Sequence, residues 1–132
     1  MDKALERELK RFLDGEDDLV LALVFGSVAT GRARPGSDLD IAVAGLAPMG
    51  SERLADLALG VSRLAGREVD ILDLREAHGT ILERILAEGV PVLMKSRQTW
   101  EEILRRHVFE EADFMPLYRR LLKERRERFL GQ

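Results

Sequence analysis

The sequence predicts a single α/β domain of the α+β kind, with about four short strands and helices between and after them. Three observations predict it. An apolar run, Leu19 to Phe25, stops at Gly26-Ser27, as a buried strand stops at a tight turn. A second apolar run, Ile41-Ala42-Val43, opens on Asp38-Leu39-Asp40. Several longer stretches space their apolar residues at three and four, the signature of helices burying one face.

Taken in order, Ala4 to Leu13 reads as a helix with Leu5, Leu9, Phe12 and Leu13 inward, stopped at Gly15. Strand one covers Leu19 to Phe25, a short helix Ser27 to Gly31, and a loop Arg32 to Ser37 containing Pro35-Gly36. Strand two runs from Asp38 to Val43. Ser51 opens a helix to about Leu64 that buries Leu54, Leu57, Ala58, Val61 and Leu64 and ends at Gly66. Strand three is Glu68 to Leu72. Glu76 to Glu88 is a helix with Ile81, Leu82, Ile85 and Leu86 inward. Val90 to Met94 is a fourth strand, placed at an edge by Pro91. Thr99 to Ala112 is helical, with Trp100, Ile103, Leu104 and Val108 on one side. Asp113 caps a last helix, with Pro116 near its start, that carries Leu117, Tyr118, Leu121, Leu122 and Phe129.

Composition narrows the function. The chain has 132 residues, 45% hydrophobic and 34% charged, which suits one folded domain and not a disordered one. No apolar run is long enough to span a membrane, and the first residues lack the pattern of a signal peptide, so a cytoplasmic protein is expected. The absence of cysteine excludes disulfides, thiolate metal sites and cysteine nucleophiles, and two histidines leave little for zinc. A net charge of −3 argues against a basic nucleic-acid binder. The charge is uneven: residues 95–132 hold 10 basic and 7 acidic side chains, residues 1–94 hold 11 and 17.

The chemistry concentrates in residues 26–40. The first free N–H groups of the helical turn after Gly26-Ser27 can face a phosphate. Residues i and i+2 of a strand share a face, so Asp38 and Asp40 present two carboxylates about 6–7 Å apart along the strand. That pairing suits one or two hard cations. In Val69-Asp70-Ile71, Asp70 points opposite to its neighbours and joins the pair if strand three lies beside strand two. Three carboxylates in one dry site need cations to stay ionised, and magnesium accepts few carboxylates, taking its other ligands from water and phosphate. A nucleoside triphosphate as its magnesium complex is the expected ligand. Asp73 faces away and reads as a strand-end cap or a surface residue.

Other polar residues read more plainly. Ser37 either closes its loop or contacts a nucleotide. His78 reads as a surface helix residue, and Arg105-Arg106-His107 as a solvated face. The basic stretch from Arg119 to Arg128 reads as a charged helix face with local pairs to Glu124 and Glu127, or as a surface for a protein or RNA partner. Trp100, Phe109, Phe114 and Tyr118 read as packing residues, and any left exposed would mark a partner surface.

Gly26-Ser27, the turn ending at Gly31, Ser37-Asp38-Leu39-Asp40 and the distal Asp70 together resemble the DNA polymerase beta-type nucleotidyltransferase superfamily. In length and in the Ser-Asp-Leu-Asp form the chain is most similar to minimal nucleotidyltransferases, the antitoxin partners of HEPN toxins. The resemblance covers about residues 19–95; an extension of about 97–130 completes the single domain 1–132. It implies the nucleotidyltransferase fold, a mixed sheet flanked by helices, and AMP transfer from ATP with release of pyrophosphate. It places the β- and γ-phosphates on Gly26 and Ser27, adds Ser37 to the nucleotide site, and makes Asp38 and Asp40 ligands of two Mg2+ ions. Asp70 would ligate the catalytic ion and help deprotonate the acceptor, a tyrosine of the cognate HEPN toxin. The chain departs from many relatives at Thr30, where they carry arginine; Arg32 and Arg34 follow and can substitute.

Two other functions fit these residues. A small-molecule transferase of the antibiotic-modifying type would need a second copy to complete its acceptor pocket. An antitoxin could also act mainly by covering its toxin. A homodimer and a hetero-oligomer with the toxin are both compatible with the chain. Templated polymerisation and tRNA end-addition are not expected, because no room is left for nucleic-acid-binding domains.

Overall fold

The computed structural model describes residues 1–110 and 119–125. The elements run α1 (Lys3–Asp14), β1 (Leu21–Phe25), α2 (Gly26–Thr30), β2 (Leu39–Ala44), α3 (Ser51–Ala65), β3 (Val69–Asp73), α4 (Gly79–Glu88), β4 (Val90–Met94) and α5 (Arg97–Glu110), and residues 119–125 are helical (α6). The rest of the expected last helix, with Asp113, Pro116, Tyr118 and Phe129, lies outside the described residues, as does Phe114.

The strands form one sheet in the order β3-β2-β1-β4. β1 pairs antiparallel with β2 and with β4, whereas β2 and β3 are parallel, so the sheet is mixed. Pro91 lies in the edge strand β4, where a missing N–H costs no ladder bond between two neighbours.

Alternation along the two central strands divides the core in two. Leu21, Leu23 and Phe25 of β1 and Ala42 and Ala44 of β2 pack with Leu82, Ile85 and Leu86 of α4, with Trp100, Ile103, Leu104 and Val108 of α5, and with Leu121 of α6. Ala22, Val24, Leu39, Ile41 and Val43 pack on the opposite face with Leu9 and Leu13 of α1 and Leu57 and Val61 of α3. Because both faces are covered, β1 is buried at every residue, and its sequence shows a continuous apolar run instead of alternation.

Boundaries move for local reasons. β1 begins at Leu21 and not Leu19 because the Leu19 N–H is spent on the Glu16 carbonyl in a turn. α4 begins at Gly79 and not Glu76. The carbonyls of Arg75 and Ala77, which a longer helix would use, accept instead from the Arg106 guanidinium at 2.5 and 2.8 Å, and it also reaches the Leu74 carbonyl at 3.4 Å.

Four side chains correct the sequence reading. Ile81, expected inward, is exposed on α4. His107, read as part of a solvated face, is wholly buried, because α5 turns that side toward the body of the protein. Arg125, read within a charged surface helix, is 2% exposed: its guanidinium lies 4.9 Å from the Trp100 ring centre and donates to the Gly89 carbonyl. Phe109, expected to pack, is 70% exposed.

Leu23, at the centre of the sheet, is fully buried. Leu23→Ala should destabilise the fold by about 2–5 kcal/mol through lost burial and a residual cavity, measured by urea unfolding.

Candidate active site

Where β1 ends, the chain makes one abrupt manoeuvre. Gly26 adopts φ 73°, and α2 begins on it directly. A Cβ built at Gly26 would lie 2.2 Å from Oδ2 of Asp40, so the absent side chain is what admits the carboxylate. Two requirements thus fall on one residue, a left-handed backbone and close approach of a neighbouring strand, and only glycine meets both.

The carboxylates follow from register. Asp40 lies opposite Phe25 on the antiparallel side and opposite Asp70 on the parallel side. Directly opposed residues share a face of a sheet, and neighbouring strands run about 4.8 Å apart. Asp38, two residues before Asp40 and just ahead of β2, is exposed; Asp70 is also exposed, and Asp40 is partly buried. All three belong to the face covered by α4 and α5, since Ala42 and Ala44 of the same alternation pack there. The condition for Asp70 to join the pair, adjacency of β3 and β2, is therefore met.

Burial pushes the Asp40 carboxyl above its ordinary range, and the negative charges of Asp70 and then Asp38 push it the same way. The opposing influence is Arg84 of α4, which sequence reasoning missed. Nothing in the spacing of α4 singles out Arg84; its place depends on which face of the sheet that helix covers. Among the described residues, no group of three or more His, Cys, Asp or Glu side chains forms a ready metal-holding cluster.

The neighbouring loop is tied by its own polar groups. Thr30 Oγ1 donates to the Gly26 carbonyl at 3.1 Å and accepts from Arg32 Nε at 3.1 Å, so Thr30 keeps Arg32 against α2. The Arg34 N–H donates to Ser37 Oγ at 2.8 Å and the Ser37 N–H returns to the Arg34 carbonyl at 2.9 Å, closing the loop. The loop-closing role expected of Ser37 is thus present. Asp73 is 4% exposed and accepts from the N–H groups of Met49 and Arg75 at 2.8 and 2.9 Å. Of its two expected roles, strand-end cap and surface residue, it has the first.

With this geometry in place, the chain can be set beside known proteins. The family described as "Polymerase beta, Nucleotidyltransferase" matches residues 7–98. A solved structure described as a minimal nucleotidyltransferase is 36% identical over 67% of this chain and 90% of its own, with a TM-score of 0.56. A chain from a toxin-antitoxin crystal structure with AMP-PNP is 24% identical over 96% of both chains, with a TM-score of 0.70. One from a complex of tri-AMPylated Shewanella oneidensis HEPN toxin with MNT antitoxin is 22% identical over 99% of this chain and 98% of its own, with a TM-score of 0.66. No curated protein matches the sequence.

Two outcomes test the site. Gly26→Ala should displace the Asp40 carboxylate and lower stability by about 1–3 kcal/mol from backbone strain, read by unfolding and by loss of activity. Asp40 has a raised folded pKa, so its contribution to stability is complete below its ordinary 3.8 and is lost as pH rises through the higher folded value. In a chelator, Asp40→Asn should therefore melt above the parent protein near neutral pH, and the gap should close as the pH falls below 3.8. A melting temperature no higher than the parent's near neutrality would refute the electrostatic reading.

Proposed function

Since the chain belongs to the polymerase beta-type nucleotidyltransferase family, we propose that it transfers AMP from Mg2+-bound ATP to a tyrosine hydroxyl of a cognate HEPN toxin, silencing the toxin. The observation that carries the reading is the registered row of Asp40 and Asp70 on adjacent strands, with Asp38 two residues away and Gly26 left bare for the Asp40 carboxylate.

The donor set suits magnesium. The mutual repulsion felt at Asp40 is what a divalent cation relieves, and magnesium needs no complete protein cage, because water and phosphate oxygens fill its remaining positions. Asp38, Asp40 and Asp70 would hold it, and when bound it would supply charge neutralisation at the reacting phosphate. Gly26 and Ser27, with Ser37, hold the nucleotide. Asp70, exposed at the rim, receives the proton of the acceptor hydroxyl. The hydroxyl oxygen bonds to the α-phosphorus, the bond from that phosphorus to the bridging oxygen breaks, and pyrophosphate leaves with that electron pair. Little covalent help is needed, so positioning and charge dominate the rate.

The toxin as acceptor is supported by the near full-length likeness to chains from toxin-antitoxin structures, one with AMP-PNP and one with an AMPylated HEPN toxin. Among the described residues no helix is long and apolar enough to cross a membrane. The protein acts in the cytoplasm, where ATP and the toxin's RNA targets meet.

The test is transfer of label from ATP, with Mg2+, to the product of the adjacent gene. A tyrosine of that partner should be labelled, and Asp38→Ala and Asp40→Ala should each cut transfer by about a hundredfold or more while keeping the fold by circular dichroism. Tight binding to the partner without label would reduce the role to neutralisation by binding. Label on small hydroxylated compounds alone would favour a small-molecule acceptor.

A further inference from the structure

Beyond the aspartates, one cation of α4 acts on the site: the positive charge of Arg84 opposes the repulsion at Asp40. Several arginines around the sheet are engaged. Arg53 grips Asp18 at 2.7 Å, Arg75 donates to the Gly45 carbonyl at 2.7 Å, Arg106 clasps three carbonyls, and Arg120 pairs with Glu83. Arg84 differs: among the described residues it makes no hydrogen bond and no ion pair, yet its charge reaches Asp40.

Its position follows from the fold. Leu82, Ile85 and Leu86 fasten α4 to the sheet face that carries the three aspartates, and α4 also packs against α2, the turn that follows Gly26. Arg84 is exposed and borders a cavity of about 390 Å3 with Thr80, Glu83, Ala87, Glu88, Arg120 and Glu124. The guanidinium is thus open to solvent on the surface of α4. Arg32, the nearest arginine after the turn, is held through Nε to Thr30 Oγ1 at 3.1 Å.

We infer that Arg84 is a nucleotide-binding residue, whose guanidinium contacts the triphosphate of the incoming nucleotide from α4, opposite the turn at Gly26-Ser27. A guanidinium presents five donors in a planar fork that matches phosphate oxygens. A competing structural role, in which Arg84 only eases repulsion among the aspartates, would make it a stabiliser of the free protein and would leave nucleotide affinity alone. The inference rests on the nucleotidyltransferase reading.

Calorimetric titration of the full chain with Mg2+ and the non-hydrolysable analogue AMP-PNP separates the possibilities. Arg84→Ala should weaken binding about tenfold or more and raise the KM for ATP more than it lowers kcat, with a melting temperature close to the parent's. Arg84→Lys should recover part of the affinity, since charge is kept and the fork is lost. Arg120→Ala, which removes a cation already paired with Glu83 on the same cavity, should bind the analogue as the parent does. Unchanged affinity in Arg84→Ala, or a fall matched by Arg120→Ala, would overturn the assignment while leaving the proposed function intact. A parent protein that binds no analogue at all would overturn the proposed function itself.

Discussion

The parallel pairing of β2 with β3 is the constraint on which the rest of this structure depends. It sets Asp40 against Asp70 across one ladder step, in a place where Asp40 also loses water. Like charges directly opposed on a sheet are unfavourable, so nothing in that contact holds itself together. The two carboxylates stay adjacent because the strands beneath them are fixed by core on both faces. Leu39, Ile41 and Val43 are wholly buried on the α1 and α3 side, and Ala42 and Ala44 on the α4 and α5 side. Hydrophobic burial supplies the stability, and the site spends part of it, as functional sites often do.

Polar clasps then hold the strand ends that lie away from the site. Asp73 gathers the N–H groups of Met49 and Arg75, and Arg75 reaches the Gly45 carbonyl, joining the far ends of β2 and β3. Arg106 of α5 closes the stretch between β3 and α4 by taking three of its carbonyls. Arg53 holds Asp18 and lowers its carboxyl below the ordinary range, chiefly through their hydrogen bond, which pins α3 to the turn before β1. The Asp73, Arg75 and Arg106 clasps satisfy part-buried groups that would otherwise stand unpaired. The 31–37 loop is different in kind: its residues are exposed apart from Ser37, and two of its bonds close it on itself, between Arg34 and Ser37.

How far the sequence could be read depended on the range of the interaction. Asp38 and Asp40 on one face follow from the period of two within a single strand, and Asp70 could be paired with them once β3 was set beside β2. That adjacency is a property of topology, invisible to local pattern, and only the resemblance pointed to it. Thr30 was visible as a departure, but its bonds to α2 and Arg32 were not. The misreadings gather in the last third of the chain. His107, Arg125 and Phe109 were judged by polarity along one helix, yet their burial is decided by which neighbours close over that helix, as the contact of Arg125 with Trp100 shows. A polar residue on a helix carries no mark of whether another element will cover it.

Arg84 combines these threads. The carboxylates come from strands, whose spacing is rigid, and the cation comes from a helix, through a long side chain that can move without disturbing the sheet. In the free protein that cation partly offsets the repulsion at Asp40. Under the proposed function, Mg2+ at the carboxylates would make the offset redundant and leave the same guanidinium available to the triphosphate. An arginine locked in a salt bridge would have to break that bond before binding substrate, whereas one held only by distance-dependent attraction pays little to turn. That Arg84 makes no ion pair among the described residues accords with a residue kept ready for an anion.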